Sequence, residues 1–243
     1  MGIAGLTALT GCRALFGGLD VHTVASSVDS NGQIAAYVSV KDGTTPVTGL
    51  TRSDFQISEN GAELDKKVTQ QMLLDRKSVA THLVVVLVDM SSTDVSRAVS
   101  RGVADLVSQA RENEQVVVYA FDGTGKLELI GEYPVAPAGS GPEQIEALSS
   151  WSVRDPSRDL NGAVVEGLKV LEERLKGFST PVKVGSLVVF ARGGDMAGRV
   201  KADALDAALD ASGREVFAVG LPNDPSGFSV KELERGTKAI IAQ

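Results

Sequence analysis

An α/β fold with a doubly wound, mostly parallel sheet, preceded by a small β module, is what this sequence predicts. Three observations carry that prediction. Leu83 to Val88 is an unbroken, largely β-branched apolar run, too short to cross a bilayer and too apolar for an exposed strand, so it reads as a central strand buried on both faces. From that run onward, strand-like segments alternate with segments of helical period, the pattern of right-handed β-α-β crossovers. Before it lie short alternating stretches punctuated by Asn-Gly and Asp-Gly turn signals.

The bulk numbers set limits on function. The chain of 243 residues is 43% hydrophobic, ordinary for a globular core, and long enough for one large domain with a small companion. A net charge of -7 with no basic stripe gives no general attraction to nucleic acid, so no nucleic-acid partner is expected. Two histidines, His22 and His82, and one cysteine cannot build a zinc site of nitrogen and sulfur ligands, and both histidines read as structural.

In chain order, residues 1–19 hold an uncharged, mildly apolar run from Met1 that closes on Leu9-Thr10-Gly11-Cys12, and then a tether. Residues 20–75 read as the β module. Ile34 to Val40 alternates between Asp29-Ser30-Asn31-Gly32 and Lys41-Asp42-Gly43, and a further strand ends at Asn60-Gly61. Residues 76–243 form the main domain, with Val68 to Thr81 as the connector. After the central strand, Val95, Val99, Val103, Leu106, Val107 and Ala110 recur at helical spacing with Thr93 as N-cap. Val116 to Phe121 and Leu127 to Ile130 are strands joined by a tight Gly-rich turn, so the sheet is not purely parallel.

A Pro- and Gly-rich loop, Tyr133 to Pro142, then leads to a short helix around Ile145 and Leu148. The loop Trp151 to Asp159 precedes a helix bearing Val164, Leu168, Leu171 and Leu175, and its lone Trp reads as core cover. Leu187 to Phe190 is a buried strand, Ala204 to Leu209 a helix ended by Gly213, and Glu215 to Val219 a strand. A last helix is expected over Val230 to Ala242, and its abrupt stop points to a missing final element or a longer protein.

A sheet of this class places its ligands outside the carboxyl ends of its strands, where Asp89, Ser91, Ser92 and Thr93 fall. Asp89-Met90-Ser91-Ser92-Thr93 resembles the first motif of the metal-ion-dependent adhesion site of von Willebrand A domains, an Asp-x-Ser-x-Ser pattern with Thr93 at the last position. The resemblance runs from about Thr81 to the C-terminus and implies a Rossmann-like sheet with Asp89, Ser91 and Thr93 as oxygen ligands of magnesium. The rest of that site departs from the family. Arg158 stands where the family has a threonine, and Ala191-Arg192-Gly193 stands where it has Thr-Asp-Gly. A guanidinium cannot ligate a metal, so Arg158, Arg192 or both are expected to take the cation's place, pairing with Asp89 in bidentate fashion. Asp195, next to Gly193-Gly194, is the substitute ligand if a metal binds after all. No resident cofactor is therefore expected, with Mg2+ the alternative.

The β module resembles the one that precedes von Willebrand A domains in a group of bacterial secreted proteins, through Gly49, Leu50, Asp54, Phe55, Glu59 and Gly61. Leu9 to Cys12 resembles the lipobox of bacterial lipoproteins, which implies acylation at Cys12 and a membrane tether in the cell envelope. The functional expectation is a non-enzymatic module acting in adhesion or complex assembly, with another protein as partner. The alternatives are a structural subunit of a larger envelope machine and a phosphate-handling enzyme at the same strand ends. Against the enzyme, the chain has no Gly-x-Gly-x-x-Gly, no Gly-Lys-Ser/Thr and no Gly-x-Ser-x-Gly, and neither histidine is placed to serve a serine.

Overall fold

The structure is a computed structural model that describes residues 19–65, 70–74, 79–94, 96–110, 114–134, 141–220 and 239–242. Two compact units result, one reaching to Ala80 together with Thr180–Val182, the other running over Thr81–Ser179 and from Lys183 onward.

In the first unit, β1 (Leu19–Val28) and β2 (Ile34–Asp42) form an antiparallel hairpin, and β3 (Thr45–Pro46) adds to β2. Asp29 closes the hairpin by accepting from the N–H groups of Asn31 and Gln33. A second small hairpin, β4 (Ser58–Glu59) and β5 (Ala62–Glu63), turns at Asn60 and Gly61, both at positive φ as a two-residue turn demands. Every described residue from Leu19 to Val79 is exposed or half-buried.

The second unit is built on a six-stranded sheet of β6 (Ala80–Asp89), β7 (Glu114–Phe121), β8 (Glu128–Pro134), β9 (Val182–Ala191), β10 (Glu215–Gly220) and β11 (Ala239–Ala242). Its order is β11-β10-β9-β6-β7-β8. The helices are α1 (Ser96–Ser108), α2 (Glu146–Ser149), α3 (Leu160–Lys176) and α4 (Ala202–Ser212). Strand β6 is buried on both faces, as its apolar run requires. Leu83, Val85 and Leu87 pack in a core with α3 and α4, while Val86 and Val88 pack with α1 and α2 on the other side. Each such side chain contributes about 1.5–3 kcal/mol by leaving water. Gly167 lets α3 lie close to β6, since a Cβ there would meet Leu87 Cδ1 at 2.8 Å.

The expectation of a doubly wound, mostly parallel sheet is corrected. The described residues are mixed α/β with more in strands than in helices, and the main sheet is mixed because β8 runs antiparallel to β7. Two further sheets are small and antiparallel. The turn after Phe121, with Gly125 at φ 75°, is too short for a crossover, so β8 can only return antiparallel. The helix expected over Val230 to Ala242 is corrected as well: Ala239–Ala242 is a strand pairing in parallel with β10, and residues 221–238 lie outside the described residues. The helix for which Thr93 was the expected N-cap is described from Ser96, whose N–H donates to the Thr93 carbonyl. Gly213 ends α4 in the left-handed conformation, φ 57°. No helix among the described residues is long and apolar enough to cross a membrane.

Candidate functional site

Asp89 is the last residue of β6 and is completely buried. A carboxylate there needs full compensation, and four donors supply it. Its Oδ1 accepts from the Ser91 N–H at 3.0 Å and the Ser91 hydroxyl at 2.7 Å. Its Oδ2 accepts from the Arg192 N–H at 3.1 Å and faces Nη1 of Arg158 at 3.5 Å. The Arg158 side chain is only 11% exposed and is anchored by Nε donating to the Gly194 carbonyl at 2.8 Å.

The two candidate arginines therefore divide the work. Arg158 brings its charge to Asp89 end-on through one nitrogen, which corrects the expected bidentate pairing. Arg192 brings only its backbone N–H; its guanidinium turns to Asp94, with Nη2 3.8 Å from Oδ2. Ser91 meets Asp89 as the motif anticipates, whereas Thr93 is exposed. Asp195 serves the backbone, accepting from the N–H groups of Asn161 at 3.1 Å and Gly198 at 2.8 Å. Cys12 lies outside the described residues.

The Asp89 turn has two counterparts. Asp122 Oδ1, at the end of β7, accepts from the N–H and hydroxyl of Thr124, and Asp155 Oδ1, in the loop before α3, from those of Ser157. Each carboxylate faces an arginine from a different loop or position: Asp122 meets Nε of Arg154 at 3.6 Å, and Asp155 meets Nη2 of Arg199 at 3.8 Å. Nε of Arg199 also donates to the Gly123 carbonyl. Burial pushes the Asp122 carboxyl up, but hydrogen bonds from Thr124 and from the N–H groups of Arg154 and Asp155 outweigh it and hold the group below its ordinary range. Asp155 is held low chiefly by the Ser157 hydroxyl and N–H. Asp159, the N-cap of α3, is pushed up by burial, against the Gly162 N–H that it accepts.

The donor set around Asp89 is the reverse of what a hard cation takes. Magnesium needs unprotonated oxygens turned inward, and here both carboxylate oxygens already face N–H, O–H and guanidinium donors. The residues present do not fit a divalent ion at this corner.

Sequence reasoning missed a second polar group. His82 Nε2 and Ser186 Oγ share a hydrogen bond at 3.0 Å, and His82 Nδ1 lies 3.4 Å from Glu114 Oε1, a contact between histidine and serine that the sequence did not reveal. The three residues line up across β9, β6 and β7. Ser186 is buried within a strand and pairs in register with Glu215, so its backbone is committed to the ladder and offers no oxyanion hole. This row ties the sheet together about 23 Å from Asp89, at the rise of a strand.

Trp151 is half-buried against the core cluster that includes Val88, Val99 and Leu148, with the Arg154 guanidinium 5.1 Å over its ring.

No family model matches the chain, and no curated protein matches it. Among solved structures it is similar to proximal thread matrix protein 1 from the mussel byssus, at 17% identity and a TM-score of 0.46. The likeness covers 68% of this chain and 44% of that one, so the chain spans less than half the length of that protein. A likeness at this level assigns neither a family nor a function.

Proposed function

We propose that this chain is a non-enzymatic protein-binding or scaffolding module of von Willebrand A type, tethered to the bacterial cell envelope through a lipid at Cys12, whose strand-end corner works without a divalent metal. The observation that carries this reading is the buried Asp89 beside the buried Arg158 guanidinium. The motif Asp89-Met90-Ser91-Ser92-Thr93 supports the family, and the fixed charge of Arg158 supports metal independence. A corner held by a permanent cation keeps one shape whether or not magnesium is present, which suits a constitutive assembly contact. The Ser91 hydroxyl does donate to the Asp89 carboxylate, but that carboxylate is also held by the Arg192 N–H and the Arg158 guanidinium and is no free base, which favours a non-enzymatic reading.

The test is calorimetric titration of Mg2+ and Mn2+ into the chain and into Arg158→Ser. The expected result is no binding to the unaltered chain and a gain of binding in the variant. Saturable metal binding by the unaltered chain overturns the reading.

A further inference from the structure

The sequence holds three Asn-Gly pairs, Asn31-Gly32, Asn60-Gly61 and Asn161-Gly162. An asparagine before glycine is able to close a five-membered ring on itself: the glycine nitrogen attacks the side-chain amide carbon, and the missing Cβ leaves the backbone free to turn into that approach. The fold treats the three pairs differently. At Asn161, only 5% exposed, both reacting groups are committed: Nδ2 donates to the Val200 carbonyl at 3.0 Å, and the Gly162 N–H donates to Asp159 Oδ1 at 3.2 Å. At exposed Asn31 the nucleophile is held. The Gly32 N–H donates to the Asp29 carbonyl at 3.1 Å, the Asn31 N–H donates to Asp29 Oδ1 at 2.9 Å, and the hairpin around them has strands of ten and nine residues. Asn60 lacks these restraints. Among the described residues neither its side chain nor the Gly61 N–H has a hydrogen-bond partner, both residues are exposed, and a Cβ on Gly61 would meet nothing within 4 Å. The hairpin has strands of only two residues each, so local opening is easy. Asn60 also stands at φ 51°, a left-handed conformation strained for a residue with a side chain, so rotating out of it costs less than leaving an ordinary one.

We propose that Asn60 is the site of spontaneous deamidation in this chain, with water as the co-reactant, and that Asn31 and Asn161 are spared by the bonds they keep. The Gly61 nitrogen bonds to the Asn60 side-chain carbon, the bond from that carbon to its NH2 group breaks, and ammonia leaves with the proton that the Gly61 N–H gives up. Water then opens the cyclic imide at one of its two carbonyl carbons. Opening at the side-chain carbon restores the backbone with an aspartate at position 60; opening at the backbone carbon leaves an isoaspartate, whose main chain runs through Cβ and Cγ. The net change is amide plus water to carboxylic acid plus ammonia. Either product places a new negative charge beside Glu59, and the isoaspartate adds a carbon to a turn that has only two residues, which breaks the register of Glu59 with Ala62. The change is independent of what the strand-end corner binds.

The test incubates the full chain at mildly alkaline pH and follows each asparagine over time by peptide mass spectrometry, which reads the mass gained as amide becomes acid, with isoaspartyl methyltransferase labelling to count the isoaspartate. A parallel sample in urea gives the rates without the fold. In the folded chain Asn60 is expected to change first, Asn31 about three- to tenfold more slowly, the margin an ordinary hydrogen bond withholds, and Asn161 to stay intact. In urea the three rates are expected to converge, since each asparagine then has the same glycine after it and no fold around it. Asp29→Ala, which frees the Asn31 N–H, is expected to speed Asn31 and leave Asn60 unchanged, and Asn60→Gln to remove the leading signal because its longer side chain would have to close a six-membered ring. An Asn31 or Asn161 that changes as fast as Asn60 in the folded chain overturns the proposal, as does an Asn60 still intact when its urea sample has turned over. The same order of rates in urea as in the folded chain overturns it too. That comparison uses the unaltered chain, so it decides the matter even where Asp29→Ala disturbs its hairpin.

Discussion

Asp89 and Asp122 occupy equivalent places at the ends of adjacent strands, and they are made acceptable to the interior in different ways. Both are fully buried, and both accept from the N–H and hydroxyl of the residue two further on. At Asp122 the second oxygen accepts from two backbone N–H groups, those of Arg154 and Asp155, while the Arg154 side chain is 46% exposed and stands 3.6 Å off. At Asp89 the second oxygen has one backbone N–H and the buried guanidinium of Arg158. Both carboxylates have four donors, but at Asp122 all four come from uncharged N–H and hydroxyl groups, whereas at Asp89 the fourth is the Arg158 guanidinium, so Asp89 alone depends on a buried cation.

The largest expected effect is at Arg158. Replacing it by Ala leaves Asp89 buried without its charge partner, and urea unfolding should show a loss of about 3–5 kcal/mol. Thr124→Val removes one hydroxyl donor from Asp122 and should cost about 1–2 kcal/mol in the same measurement. Arg154→Ala, at the exposed partner, should cost no more than about 1 kcal/mol. An Arg154→Ala loss as large as that of Arg158→Ala would break the distinction between the two corners.

Acid sharpens it further. Asp122 and Asp155 are held below their ordinary range in the folded chain, so the unfolded chain binds more protons in the acid range. Their contribution is present at neutral pH and lost as pH falls through the folded values. Asp159 runs the other way, because its raised carboxyl loses stability as pH rises past the ordinary aspartate range. Unfolding followed against pH should therefore show an acid limb that Thr124→Val shifts more than Arg154→Ala does, since hydrogen bonds rather than charge hold Asp122 down.

How much of this was legible in the sequence varies by element. The central strand was, because six apolar residues in a row admit few other readings, and the β7-β8 return was foreshadowed by its Gly-rich turn. The four residues of β11 were not, since so short an apolar run fits helix and strand equally, and the open edge of β10 decides. At the site, the loss of two oxygen donors was plain, and so was the gain of two cations. Which arginine reaches Asp89 depends on loop paths: the Arg158 side chain is steered inward by the Gly194 carbonyl, and Arg192 contributes a backbone N–H that no residue type signals. The row of Ser186, His82 and Glu114 was hidden because it rests on strand order and register over a separation of 104 residues.

The central claim, that the Arg158 guanidinium fills the place a cation would take beside Asp89, is tested most directly by a double-mutant cycle of Asp89→Asn and Arg158→Gln, read by urea unfolding with and without millimolar Mg2+. A coupling of about 1–3 kcal/mol that magnesium leaves unchanged is the predicted result. A coupling near zero, or an unaltered chain that magnesium stabilises, would contradict it.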